Sequence, residues 1–426
     1  MRYYSTRKKS EAVFFAEAAL AGLAPDGGLY IPEEVPQFPQ AVKSSLGKMS
    51  YTDVAAETIR PWVKDAIPGS VLEEIVHDAY PFSAPLADAG GRQVLELFHG
   101  PTAAFKDFGA RFMARAFSYL RRGESKPLKI LVATSGDTGG AVADGFYGVE
   151  GISVTVLYPR GRVSLLQEKQ IAGLRGNISA ISVEGSFDDC QRLVKQAFGD
   201  EELKKRICLS SANSINIARL IPQAAYYAAA AGRLPDAVFS VPSGNFGNLT
   251  AALYAKKMGA PIGRFIAATN INKTVPDYLE SGNYEARLAK VTLSNAMDVG
   301  APSNFERMAA HFSLEEMRHL ILGVSVNDDE TRAAIAEVFS RRGYFLDPHS
   351  AVGWKGVDKL LADKKIAEEP IGILCTAHPA KFKEVVEPLV GPPPLPATLE
   401  RAMHRNVQSQ TIPADVSVFI EALQKL

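Results

Sequence analysis

Excess charge of either sign, cysteine and unbroken apolar stretches are all scarce in this chain of 426 residues. Lys plus Arg number 47 and Asp plus Glu number 47, a formal net charge of zero with His neutral. A nucleic acid or an anionic membrane as main partner would select a basic surface, so the balance argues against both. The three cysteines, Cys190, Cys208 and Cys375, are odd in number and far apart. They match no disulfide framework and no Cys-x-x-Cys pattern, which fits a reducing cytoplasm and no metal site. The uncharged run Ala237–Ala255 is 19 residues long but carries Pro242, Gly244, Asn245, Gly247 and Asn248, so it is no membrane span. Arg2, Arg7, Lys8 and Lys9 ahead of an apolar stretch resemble a signal peptide at a glance. Glu11 and Glu17 interrupt that stretch, and it reads instead as a surface helix.

Several catalytic signatures are missing too. There is no Gly-x-Ser-x-Gly elbow, no His-Glu-x-x-His, no Walker Gly-Lys-Ser/Thr and no Gly-x-Gly-x-x-Gly fingerprint. Metal hydrolysis, serine or cysteine nucleophile chemistry and dinucleotide binding are therefore weak readings.

What is present from about residue 93 onward is an alternation of short apolar runs with amphipathic stretches of helical length. That pattern implies an α/β fold with parallel strands and crossover helices. Strands are expected at 94–98, 129–133, 153–158, 178–183, 207–211, 237–241, 265–269 and 371–375, too many for one small sheet. Helices are expected at 107–121, 139–147, 165–174, 187–198, 217–231, 249–257, 314–322, 329–340, 351–362 and 414–425. The reading is an N-terminal, mainly helical cap over 1–92, with helices at 11–21, 51–66 and 71–79. A smaller parallel-sheet domain follows over 93–215 and a larger one over 216–426. The span 272–313, poor in apolar periodicity, reads as an insertion near a functional surface.

In open α/β sheets ligands sit beyond the carboxyl ends of strands, so the loops there carry the chemistry. HGPTAAFKDFG (99–109) puts Lys106 at the mouth of a helix after three apolar residues. Desolvation and the helix N-terminus both lower an ammonium pKa in such a place, and lysines of that kind form Schiff bases. The bland alternative is a snorkelling surface lysine beside a capping Asp107. PSGNFGN (242–248) is a strand, a tight turn and a helix start, with little bulk to keep an anion from the backbone N–H groups. TSGDTGG (134–140) has the same build and suits a second anion such as a carboxylate, although Asp137 or Thr138 there is also ordinary capping chemistry. TAHPAKF (376–382) follows the last strand, and His349 in DPHSAVG reads as a helix-start residue beside Asp347 and Ser350.

A reactive lysine, a phosphate cradle and a carboxylate loop together fit pyridoxal phosphate better than any other common cofactor. HGPTAAFKDFGARF (99–112), TSGDTGGA (134–141), PSGNFGN (242–248) and RYYSTR…GLAPDGGLYIPE (2–33) resemble the threonine synthase family, and the likeness runs through DPHSAVG and TAHPAKF. It implies a fold-type-II pyridoxal-phosphate enzyme that makes L-threonine and phosphate from O-phospho-L-homoserine and water, acting as a monomer or homodimer. By the same resemblance Lys106 would be the catalytic, cofactor-bound lysine. Ser243, Gly244, Asn245, Phe246, Gly247 and Asn248 would hold the cofactor phosphate, and Thr376 would hydrogen-bond its ring nitrogen. Ser135, Gly136, Asp137 and Thr138 would line the substrate carboxylate loop. Polarity and position alone suggest Lys273 and Arg219 for the substrate phosphate, with Asn213, Ser214, Asn216 and Gln223 completing the pocket. Arg160 and Arg162 read better as solvated charges. The rival readings are a phospho-lyase on the same scaffold that releases 2-oxobutyrate, and a catalytically dead relative that binds a phosphate ligand.

Overall fold

The computed structural model describes residues 1–8, 10–367 and 370–425; Lys9 of the basic N-terminal run lies outside the described residues. Among the described residues the strands are β1 Tyr3–Ser5, β2 Tyr30–Pro32, β3 Leu86–Asp88, β4 Gln93–Glu96, β5 Leu128–Ala133, β6 Ile152–Pro159 and β7 Ile178–Glu184. They continue with β8 Cys208–Ser211, β9 Ala237–Pro242, β10 Ile262–Thr269, β11 Ile321–Ser325, β12 Ile371–Cys375 and β13 Gln410–Pro413. β1 and β2 form an antiparallel pair; the rest build a six-stranded sheet, β11-β10-β9-β12-β4-β3, and a five-stranded sheet, β13-β7-β6-β5-β8. Pairing in these two sheets is parallel throughout except between β3 and β4. β9 is buried along its whole length, as a sheet covered by helices on both faces requires.

The α/β fold class and all eight expected strands are present. Sheet membership, however, crosses the expected linear boundaries. β4 opens the segment 93–215 yet pairs with β12 in the six-stranded sheet, while β13 from the last segment pairs with β7 in the five-stranded one. β3, within 1–92, forms an edge of the six-stranded sheet.

Three elements differ from expectation for local reasons. The helix expected over 314–322 ends at Leu320, and Ile321–Ser325 becomes an edge strand on β10. The helix expected over 217–231 is Ile217–Leu220, a 3-10 turn Ile221–Gln223 and then Ala224–Arg233, because Pro222 has no N–H to continue the ladder. The helix expected over 11–21 starts at Phe15, since Val13 instead exchanges both backbone hydrogen bonds with Tyr3 at 2.8 and 2.9 Å. Among the described residues no helix is long and apolar enough to cross a membrane.

The N-terminal segment is fastened to the helix that carries Lys106. Tyr51, Tyr80 and Phe82 surround Phe108 at ring-centroid separations of 5.4, 5.8 and 5.2 Å, and Tyr226 closes the group at 5.3 Å. The Tyr80 hydroxyl donates to the Phe108 carbonyl at 2.8 Å, so the first turn of helix Lys106–Leu120 is tied by packing and by a buried hydrogen bond. Truncating Phe108 leaves a cavity in this seam. Phe108→Ala is expected to destabilise the protein by about 3–5 kcal/mol, read as a lowered urea midpoint with unchanged slope. A loss under about 0.5 kcal/mol, the scale of an ordinary surface substitution, contradicts the assigned packing.

Candidate active site

Topology brings the loops together. β9, β12 and β4 are neighbours, so the segments after them, 242–248, 376–382 and 97–106, leave one sheet side by side. β8 and β5 are neighbours in the other sheet, and their following loops contain Asn213 and Ser214, and Thr134 to Thr138. Residues of all five loops line one cavity between the two sheets.

Lys106 is the first residue of helix Lys106–Leu120, one position earlier than expected. Its backbone is set by a short bridge: Phe105 N–H donates to Thr376 O at 2.8 Å, and His378 N–H to Ala103 O at 3.0 Å. Ala103 takes a left-handed φ of 53° to make that approach. Asp107 does not cap from outside the helix. Buried, it accepts from the Thr102 N–H and hydroxyl at 2.9 and 2.5 Å and braces the same turn. Gly100 is needed here, since an added Cβ would lie 2.4 Å from Asp107 Oδ2.

The Lys106 side chain lines the cavity, and among the described residues no hydrogen bond or ion pair engages its Nζ. Burial pushes its pKa down to about 8; the cations of Lys381 and Arg219 push the same way, and Asp137 opposes them. The snorkelling alternative is thereby corrected.

The turn after β9 is built as an anion cradle. Phe246 adopts φ 60°, helix Gly247–Met258 begins at once, and none of the N–H groups from Gly244 to Asn248 is spent on a loop hydrogen bond among the described residues. Gly244 packs against the segment that follows β10, with an added Cβ only 2.6 Å from Met297 Cα. Asn248 accepts the Tyr226 and Tyr227 hydroxyls at 2.6 and 2.7 Å through Oδ1, which leaves its buried Nδ2 without a partner. Asn245 is held between Ser214 Oγ at 2.6 Å and the Ser303 N–H at 2.6 Å. Unspent donors at a helix N-terminus and an orphaned buried amide are the donor set a phosphate requires.

Ser135, Asp137 and Thr138 also line the cavity. Gly136 does not, but its φ of 138° turns the chain into helix Asp137–Phe146, and the cap is Thr134 Oγ1, accepting from Gly136 and Gly139 N–H at 2.9 and 2.8 Å. Burial alone would raise the Asp137 carboxyl. Lys381 at 2.7 Å, the Lys106 cation and Gln167 Nε2 at 2.9 Å hold it well below the ordinary carboxylate range. Lys381 escaped the sequence reading: a lysine in a short polar loop carries no sign that it is buried.

The basic candidates separate cleanly. Arg219 lines the cavity, is buried, and has no carboxylate within ion-pairing distance among the described residues. Its Nη1 donates to Ala212 O at 2.5 Å, its Nε has no partner, and burial pushes its pKa down to about 10. Lys273 is half exposed and pairs with Asp277 at 3.2 Å, away from the cavity. Asn216 is likewise corrected to a structural role: its amide donates to Ala19 O and Ser211 O, and its carbonyl caps Ala218. Arg160 pairs with Glu184 at the surface. Gln223, Asn213 and Ser214 line the cavity.

The span 272–313 does reach the site, through Asn295 to Val299. His349 fixes that segment, since its Nε2 accepts the Ala296 N–H at 3.2 Å while Nδ1 bonds Asp347 at 2.7 Å. A second residue the sequence did not reveal is Arg307, buried without an acidic partner among the described residues. It donates to Tyr30 O at 3.1 Å and Ser214 O at 3.3 Å, joining the N-terminal segment to the site loop.

Two largely parallel sheets that meet at a cavity lined by a lysine and an anion cradle fit the class of pyridoxal-phosphate-dependent enzymes, and residues 94–377 match the family model of that description. Residues 2–80 match the threonine synthase N terminus and 350–422 the threonine synthase C-terminal model. The chain is 44% identical to the threonine synthase of Escherichia coli K12, over 100% of this chain and 99% of that one. The crystal structure of threonine synthase from Escherichia coli superposes with a TM-score of 0.93 at 43% identity, covering 100% of both chains. A pyridoxal-phosphate-bound threonine synthase from Brucella melitensis gives 0.91 at 39% identity, covering 100% of this chain and 99% of that one. The chain belongs to the threonine synthase family.

A lysine whose pKa lies near 8 gains free base over a range where an ordinary lysine, titrating near about 10.4, stays protonated. The rate at which cofactor-free protein covalently captures pyridoxal phosphate should therefore climb with pH to about 8 and level off above it. Stopped-flow absorbance checks this, and a rate still climbing steeply past pH 9 would contradict the assigned burial.

Proposed function

We propose that this chain is a cytoplasmic threonine synthase that converts O-phospho-L-homoserine and water to L-threonine and phosphate, with pyridoxal 5'-phosphate held between the two sheets. The observation that carries the reading is the meeting of Lys106, the 243–248 cradle and Thr376 in one cavity. When bound, the cofactor supplies an electron sink for the bonds of the substrate's α-carbon.

The residues then divide the work. N–H groups of Gly244 to Gly247, the helix N-terminus behind them and Asn248 Nδ2 bind the cofactor phosphate, with Ser243 beside them. Thr376 offers the ring nitrogen a neutral hydroxyl, which does not enforce its protonation as a carboxylate would. Ser135 and Thr138 receive the substrate carboxylate, Gly136 shapes the turn between them, and Lys381 offsets the charge that Asp137 would otherwise set against it. Arg219, a buried cation with neutral acceptors only, faces the leaving phosphate, with Asn213, Ser214 and Gln223 around it. The Lys106 amine takes the Cα proton and gives it up, then takes a Cβ proton as the Cγ–O bond breaks and phosphate departs with one proton. The Cβ proton returns at Cγ, the hydroxide of water adds at Cβ, and water's remaining proton returns at Cα.

Product analysis tests the activity: threonine and phosphate in equal amounts are expected, and 2-oxobutyrate without threonine would establish the phospho-lyase instead. Lys106→Ala should lower turnover by roughly a thousandfold or more with the circular-dichroism spectrum unchanged; appreciable residual activity would reject Lys106 as the base. Thr376→Asp should shift the cofactor absorption and the product balance, and an unaltered spectrum with unaltered products would count against Thr376 at the ring nitrogen.

A further inference from the structure

Lys381 does not line the cavity, yet it is fully buried beside it. Its Nζ lies 2.7 Å from Asp137 Oδ1 and donates to the Thr102 carbonyl at 2.8 Å. Its own carbonyl accepts the Ser164 hydroxyl at 3.2 Å. Asp137 follows β5 of the five-stranded sheet, while Lys381 and Thr102 follow β12 and β4 of the six-stranded sheet. One ammonium group therefore joins three site loops across the seam between the sheets. An unpaired charge at that depth is strongly unfavourable, so the two sheets must meet here for either charge to be buried. We propose that Lys381 is a positioning residue for the reaction: its ion pair with Asp137 locks the 135–138 loop onto the loop that carries Lys106.

The inference rests on the reading of Lys106 as the essential base and of 135–138 as the substrate loop. The charged groups facing Lys106 are Asp137 from helix Asp137–Phe146, Lys381 from the turn Pro379–Phe382, and Arg219 from helix Ile217–Leu220. Asp107, next on its own helix, is tied to Thr102, and Asp298 and His349 also line the cavity. Lys381 is itself faced by Asp137, Lys106, Asp107 and His378. Losing the Lys381 cation removes a repulsion that disfavours the Lys106 ammonium, and it leaves Asp137 unpaired to favour it. Both effects raise the Lys106 titration point and reduce its free amine at neutral pH.

The test uses Lys381→Met and Lys381→Arg in the full chain. In cofactor-free protein, pH-dependent acetylation of Lys106 followed by mass spectrometry should show its titration point raised by on the order of one pH unit in Lys381→Met and kept in Lys381→Arg. In holoenzyme, Lys381→Met should lower kcat/KM for O-phosphohomoserine by on the order of a hundredfold, much of it in KM, with partial rescue by Lys381→Arg. A titration point and KM that stay at wild-type values overturn the proposal, while threonine production by the wild type keeps the functional reading standing on its own. If Lys381→Met does not fold, Asp137→Asn decides from the other side of the pair. A KM for O-phosphohomoserine raised on the order of tenfold with the circular-dichroism spectrum unchanged supports the lock, and an unmoved KM overturns it.

Discussion

Two backbone hydrogen bonds, Phe105 N–H to Thr376 O and His378 N–H to Ala103 O, hold this site together. They exist because β4 and β12 are parallel neighbours, with Glu96 opposite Cys375, so the chains leaving their carboxyl ends stay within reach. The bridge is antiparallel, made where the chain after β4 turns back on itself, and it puts both Lys106 and Thr376 on the wall of the cavity. Everything else in the site is arranged against that fixed edge.

Three supports make the edge rigid. Asp107 and Thr102 close the turn beneath Lys106, the aromatic group around Phe108 clamps the same helix from the N-terminal segment, and Lys381 ties the turn to Asp137 across the seam. The N-terminal segment is thus part of the catalytic frame: through Arg307 it also reaches Ser214 in the loop that follows β8. A protein of zero net charge concentrates Lys106, Lys381 and Arg219 near one cavity and keeps Asp137 among them.

Much of this was legible in the sequence, and what was not has physical causes. Eight of the eleven strands in the two sheets are apolar runs bounded by turn residues, and the motif loops follow four of them. β13 was invisible because an edge strand of sequence QTIP, mostly exposed, carries no burial pattern. The first two residues of β11 read as the end of the helix expected over 314–322, because an apolar run directly follows an amphipathic one with no breaker between them. For side chains, the glycine-rich turns and Lys106 declared themselves through local context, whereas Lys381 and Arg307 depend on partners hundreds of residues or a whole segment away. Lys273 was the opposite error: its polarity and position in the chain were right, but its side chain turns to Asp277 and solvent.

The central claim is that the bridge presents Lys106, and not the more deeply buried Lys381 beside it, as the amine that anchors the cofactor. Borohydride reduction of the pyridoxal-phosphate-loaded protein, followed by peptide mapping, reads this directly. The account predicts a single reduced pyridoxyl adduct on Lys106. An adduct on Lys381, or none on either lysine, would contradict it.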